Sequence, residues 1–279
     1  MKKSHFLLLM LLGAVLLLAA CGNDSEDTAP TDTAPEEEQA ETGSSEELLA
    51  KVQDEGKLLV GTEGTYPPFT FHDASGELTG FDVEIAREVA DRLGVEAEFL
   101  ETQWDGMFAG LDSGRFDMVA NQVGIREDRL ESYDFSDPYI TSSAVLVTSK
   151  DETEIEAFED LEGKNSAQSL TSNYADIATS FGAELTGVEG FNQAVELLVS
   201  GRVDATVNDK ISVLDFLKQR PDAPIQIADE SDEASQSGLQ FRKGSGAIVD
   251  EVNKALAEMI EDGTYEEISQ KWFGENVLE

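Results

Sequence analysis

The chain has 279 residues, 58 acidic against 19 basic, and a formal net charge of −39 at pH 7. Such an excess of carboxylate excludes nucleic acid and anionic lipid surfaces as partners, because both require a positive field. One cysteine and two histidines, His5 and His72, allow no disulfide within one chain, no Ser-His-Asp triad and no histidine-rich metal site, so neither metal nor cofactor is expected.

Lys2 and Lys3 precede an apolar run from Phe6 to Leu18 that ends in Leu18-Ala19-Ala20-Cys21. This pattern predicts a signal peptide over residues 1–20, with an apolar run too short for a permanent membrane span. Leu-Ala-Ala-Cys resembles a bacterial lipobox, which implies that Cys21 is lipidated and tethers the protein to the extracellular face of the cell membrane. From Cys21 to Glu47 there is no aromatic or large aliphatic residue. That composition predicts a disordered acidic tether, since it offers too little apolar surface to offset the entropy of ordering.

Lys57 to Gly61 reads as a short apolar strand, followed by a loop through Pro67-Pro68 and a second strand near Phe69 to His72. Val83, Ala86, Val89, Ala90 and Leu93 recur at helical spacing up to Gly94, and Val95, Ala97 and Phe99 alternate with glutamates as in a strand with one wet face. Ala144 to Thr148 reads as an extended crossover. A strand at Asn165 to Gln168 and a helix from Asn173 to Phe181 follow, Gln236 to Phe241 crosses back, and helices over Ile248–Ile260 and Tyr265–Trp272 end the chain. Strands alternating with helices imply α/β lobes.

Two stretches repeat one frame: Ser113-Gly114-Arg115-Phe116-Asp117, then three small or apolar residues and Asn121; and Ser200-Gly201-Arg202-Val203-Asp204, then three more and Asn208. Each follows a segment of helical spacing, so each predicts a helix stopped by glycine, a tight turn and a buried strand ending in polar residues. One unit used twice suggests two lobes with a ligand crevice at the strand ends.

A zwitterionic amino acid needs donors for its carboxylate, an anion for its ammonium and a wall for its side chain. Arg129 can grip the carboxylate with amides of the Asn121–Gly124 loop, Thr171-Ser172-Asn173 adds donors at a helix start, Asp209 can take the ammonium, and Tyr66 and Trp104 can form walls. Each has a plainer alternative: Arg129 paired with Asp128 or Glu131, Tyr66 and Trp104 in the core, Asp209 capping the next helix.

Val60-Gly61-Thr62-Glu63-Gly64-Thr65-Tyr66-Pro67-Pro68-Phe69, Gly80-Phe81-Asp82-Val83-Glu84-Ile85-Ala86, Tyr133-Asp134-Phe135-Ser136-Asp137-Pro138-Tyr139 and Asp262-Gly263-Thr264-Tyr265 through Lys271-Trp272-Phe273-Gly274 resemble the solute-binding proteins of bacterial polar amino-acid ABC transporters. Thr102-Gln103-Trp104-Asp105-Gly106-Met107, Ala120-Asn121-Gln122-Val123 and Ser166 to Asn173 look most like the cystine-binding branch.

The resemblance implies a two-lobe, type II periplasmic-binding-protein-like fold with a discontinuous first lobe (residues 48–140 and 238–279), a second lobe (141–237) and a hinge of two crossovers near 140–143 and 233–237. It implies that Arg129 and the Gly124 amide hold the ligand carboxylate, with Ser172 and Asn173 adding donors, and that Asp209 and the Gln122 carbonyl hold the ammonium. Tyr66 and Trp104 would sandwich the side chain, which Glu63 and Asn208 would also contact, and Ser169 stands where some glutamine-binding relatives carry Lys. The implied partners are an amino acid, most simply L-cystine but also a basic or other polar one, and an ABC permease with its ATPase. A dehydratase on the same fold and a ligand-presenting subunit for a sensor are the rival functions.

Overall fold

The computed structural model describes residues 37–278. The expected signal peptide, Cys21 and the first part of the tether lie outside them. From Glu37 the tether expectation is corrected, because helix α1 spans Glu37–Glu55. Its last turns are fixed by Leu48 and Val52, which enter the same core as Val249 and Val252, and by Lys51, whose Nζ lies 2.8 Å from Asp117. Two apolar residues one helical turn apart are enough to dock it.

The first body of the fold opens with β1 (Lys57–Thr62), then β2 (Thr65–Tyr66), β3 (Thr70–His72) and β4 (Leu78–Thr79), which form a small antiparallel sheet. Next come α2 (Phe81–Leu93), β5 (Glu96–Glu101), α3 (Trp104–Asp112), β6 (Met118–Val119), α4 (Glu127–Ser132) and β7 (Tyr133–Phe135). The chain leaves through β8 (Ile140–Ser149) and builds β9 (Asn165–Gln168), α5 (Asn173–Ser180), β10 (Glu184–Gly187), α6 (Phe191–Val199), β11 (Ala205–Asp209) and α7 (Lys210–Gln219). It returns along β12 (Ile225–Ser237) to β13 (Gln240–Arg242), α8 (Gly246–Asp262) and α9 (Thr264–Phe273).

Two five-stranded sheets result, ordered β5-β1-β6-β13-β7 and β10-β9-β11-β8-β12. Each has three parallel strands in the same order, with the third in sequence beside an antiparallel neighbour. Both faces of each sheet are covered, so successive strand residues enter different cores. Leu58 and Val60 point to the α2 and α8 side while Leu59 packs with Met107 and Phe116; Val145 and Val147 join Phe191 and Phe216 while Ala144 and Leu146 join Phe158 and Leu161.

The two bodies are joined by β8 and β12, which pair antiparallel from Ile140 opposite Ser237 to Ser149 opposite Ile225, with irregularities between Ile227 and Asp229 and between Glu230 and Ala234. The expected crossover at Ala144–Thr148 and its return at Gln236–Phe241 are therefore parts of longer strands. The chain's last turn is fastened to this junction: the Thr141 amide donates to the Val277 carbonyl at 2.8 Å and its hydroxyl to the Leu278 carbonyl at 3.0 Å. The carboxyl ends of β1, β6, β9 and β11 all face the crevice between the bodies, the place where open α/β sheets bind ligands.

Candidate functional site: a cleft between two sheets

β1 ends at Thr62 and is followed by Glu63, and β6 runs into Asn121 and Gln122. The Asn121 side chain ties these ends together, its Oδ1 accepting from the Glu63 amide at 2.8 Å and its Nδ2 donating to Glu63 Oε2 at 2.7 Å. Gln122 has φ 54°, a left-handed conformation rare for a residue with a side chain. Buried Asp82 holds it there by accepting from both its amide, at 2.8 Å, and its Nε2, at 2.7 Å. Asp82 belongs to a motif visible in the sequence, but its role as the clamp on Gln122 is not legible there.

From the other sheet, Ser172 caps α5 by accepting from the Ala175 amide at 3.1 Å. Asn208 is the penultimate residue of β11, and its Oδ1 accepts from the Tyr66 hydroxyl at 2.8 Å, bridging the two bodies. Together these elements enclose a cavity lined by Glu63, Tyr66, Trp104, Asn121, Gln122, Ser169, Ser172, Asn173 and Asn208 of the expected residues. Val188, Phe191 and Ala194 of the second body add an apolar wall, and Tyr174 a further aromatic. These four were missed; the aromatic directly after Ser172-Asn173 and the apolar face opening at Phe191 are the signals that could have found them.

Four expected residues, Gly124, Arg129, Thr171 and Asp209, do not line this cavity. Thr171 is exposed and engaged elsewhere, its amide and hydroxyl both donating to Asp105 Oδ1, at 3.2 and 2.7 Å. Arg129 is buried on α4, with Nη1 donating to the Gly124 carbonyl at 3.0 Å and its guanidinium 5.6 Å from the Trp104 ring and 5.3 Å from that of Phe108. The ion pair with Asp128 or Glu131 does not form, and among the described residues no carboxylate lies within salt-bridge distance of it. Burial, aided by the nearby charge of Arg126, lowers its pKa to about 10. The Gly124 amide, expected to hold a carboxylate, has no partner among the described residues, while the carbonyl serves Arg129.

Asp209 does cap the next helix: Oδ1 accepts from the amides of Ile211, at 2.8 Å, and Ser212, at 3.3 Å. Its other oxygen accepts from the Tyr174 hydroxyl at 3.5 Å, and the Ser142 hydroxyl lies close to the carboxylate. Burial raises its pKa to about 6 and that of Glu63 to about 7, hydrogen bonds to each carboxylate opposing the rise only in part. Asn173 and Tyr174 separate the cavity from a second cleft at the back, which Ser235 also lines. A Cβ on Gly124 would sit 3.5 Å from Ser235 Oγ and 3.6 Å from Arg129 Nη1. Arg129 stands against the ring of Trp104 and Asp209 against the hydroxyl of Tyr174, two residues of the cavity wall, and among the described residues neither has a counter-ion within salt-bridge distance.

The bodies also touch away from the cavity. Arg126 Nη1 lies 2.7 Å from Asp176 Oδ2, and Ser212 Oγ donates to the Pro67 carbonyl at 3.0 Å. With the Thr171 and Tyr66 contacts, these bonds close the crevice on both sides.

The family model of bacterial extracellular solute-binding proteins, family 3, matches residues 58–275. The chain belongs to this family. It is 51% identical over 278 residues, 99% of each chain, to the L-cystine-binding protein TcyA of Bacillus subtilis. An ancestral arginine-binding protein bound to arginine is 40% identical with a TM-score of 0.74, covering 78% of this chain and 98% of its own. The L-cystine solute receptor of Neisseria gonorrhoeae, in the unliganded open conformation, is 45% identical over 83% of this chain and 99% of its own, yet its TM-score is 0.55. In the present arrangement the two bodies are in direct contact across the crevice. Among the described residues no helix is long and apolar enough to cross a membrane.

Proposed function

We propose that this protein captures L-cystine outside the cell by closure of its two lobes and delivers it to an ABC transporter permease. The observation that carries this reading is the opposed pair Arg129 and Asp209, each buried, each supplied by a different lobe and each without a partner of opposite charge among the described residues. A ligand α-carboxylate and α-ammonium satisfy both, and only when the lobes meet. Binding energy is then available in the closed state alone and shifts the population towards it. The identity with a cystine-binding relative along nearly the whole of both chains supports cystine as the ligand.

The motion requires bending where β8 and β12 meet the first body, near residues 140–143 and 233–237. Cys21 carries the lipid that keeps the protein at the membrane surface. The reading assigns Glu63, the one acid lining the cavity among the described residues, to ligand contact and not to catalysis.

A basic amino acid is the second reading, favoured by Glu63, a half-buried acid with no cationic partner among the described residues that faces the ligand's distal end, and by the arginine-bound relative. Calorimetric titration with cystine, arginine and glutamine separates them. Cystine is expected to bind most tightly; a clear preference for arginine replaces the first reading by the second, and product formation without stoichiometric binding removes both.

A further inference from the structure

The inner cavity is small, about 50 Å³, room for roughly three or four waters. Beside it an outer cleft of about 570 Å³ opens towards solvent, and the two share Glu63, Thr65, Gly190 and Phe191 as walls. Cystine, two amino acids joined through sulfur, is too long for the inner space alone.

Gly190 stands on the shared boundary at the start of α6. Its backbone, φ 176° and ψ −179°, is extended, a conformation open to any residue. A Cβ added there would meet nothing nearer than Glu63 Oε1 at 3.9 Å, whereas at Gly80 it would strike the Phe69 carbonyl at 2.2 Å. As the residue preceding a helix it forgoes the side-chain cap that Ser, Thr, Asn or Asp would supply. Neither backbone strain nor crowding requires glycine here; glycine is an accepted N-cap, weaker than Ser, Asn or Asp, and its missing side chain leaves a methyl-sized gap opposite Glu63.

We propose that Gly190 is a length-determining position: the gap beside it joins the inner cavity to the outer cleft and lets the distal half of a long ligand pass. This rests on the amino-acid reading above and adds to it where the ligand's far end goes. Glu101, Glu189 and Glu196 line the outer cleft together with Glu63, and no Lys or Arg does among the described residues. The passage therefore favours a distal ammonium.

The test is a graded series, Gly190→Ala and Gly190→Leu, titrated with cystine and with S-methyl-L-cysteine, which keeps the same α-amino-acid end but stops inside the inner cavity. Alanine, whose methyl would already stand in contact with Glu63 Oε1, should weaken cystine binding a few-fold, and leucine should weaken it roughly tenfold or more. S-methyl-L-cysteine binding and the ligand-free melting temperature should hardly move. Gly190→Leu binding cystine like the native chain overturns the proposal, as does an equal loss of both ligands. If the native chain binds only cystine, the leucine variant still decides by losing or keeping it at an unchanged melting temperature. If the native chain binds neither ligand, the functional reading itself fails and this inference with it, a result visible before any variant is made.

Discussion

The two copies of the repeated unit share their main-chain bonds and differ in nearly everything laid upon them. Gly114 and Gly201 have φ 71° and 67°, and their amides donate to Leu111 and Leu198 carbonyls, both at 3.0 Å. The Asp117 and Asp204 amides donate to Leu59 and Asn165 carbonyls, both at 2.8 Å, and the two side chains accept from the amides of the same residues. Volume, in contrast, is traded. Phe116 fills the space left by Gly61 and Gly110, where added Cβ atoms would lie 2.6 and 2.5 Å from its ring, while the second copy sets the smaller Val203 in the frame with Ala167 and Leu197 at the corresponding places. The lesson is that the turn and strand pairing specify the unit, and packing is adjusted around them.

Charge divides the copies too. The first lobe brings the buried cation Arg129 to the crevice and the second the buried anion Asp209, so removing either should break the functional half of the comparison. Arg129→Ala should weaken amino-acid binding by about 2–5 kcal/mol while leaving the melting temperature near native, and titration that finds unchanged affinity would remove Arg129 from the site. Next in size is the contrast between the repeated aspartates. Asp117 is fully buried, with Lys51 at 2.8 Å and Arg242 at 3.6 Å, whereas Asp204 is half-buried with the Asn165 amide as its partner. Asp117→Ala should lower stability to urea by about 2–3 kcal/mol and Asp204→Ala by about 1 kcal/mol. Equal losses would mean that the shared backbone bond, and not the covering charges, sets the value.

Acid should sharpen the comparison in a different way. Glu63 and Asp82 titrate at about 7 and Asp209 at about 6, above their ordinary 4.5, 3.8 and 3.8. Between the ordinary and the raised values the folded chain keeps protons that the unfolded chain has lost, so stability falls as pH rises through this window and the loss is complete above about 7. The ligand-free melting temperature should therefore drop between about pH 5 and pH 8, and bound ligand should narrow the drop by giving Asp209 a cation. A melting temperature that climbed over that range would contradict the buried, uncompensated state of these acids. The smallest effect concerns the Arg126–Asp176 bridge, both ends of which are partly exposed. Asp176→Asn should reduce affinity by about 0.2–1 kcal/mol and lower its dependence on salt, and the exchange of the two charges should restore both.

Much of this was legible in the residues because it is local. The glycine stops, the alternation in β5, the helical spacing of α2 and the repeated frame each follow from neighbours in sequence, and Tyr66, Trp104, Asn121 and Asn208 were found from their places at strand ends and loops. What failed was longer in range. Helix α1 depends on a core completed by α8, some two hundred residues away, and its polar first half carries no apolar period. Thr171 was assigned to the ligand because hydroxyls at a helix start suit an anion, but Asp105 of the other lobe reaches it first. Arg129 and Asp209 read from the sequence as cavity wall, whereas each stands against an aromatic residue that lines it, Trp104 and Tyr174, a placement no local pattern states.

The tie between Thr141 and the final residues bears on how closure can be watched. Because Val277 and Leu278 are stapled beside the pivot, a reporter joined to the carboxyl terminus would travel little when the lobes swing. Dyes at the exposed Leu130 and Leu170, one on each lobe, would instead track the swing from its rim.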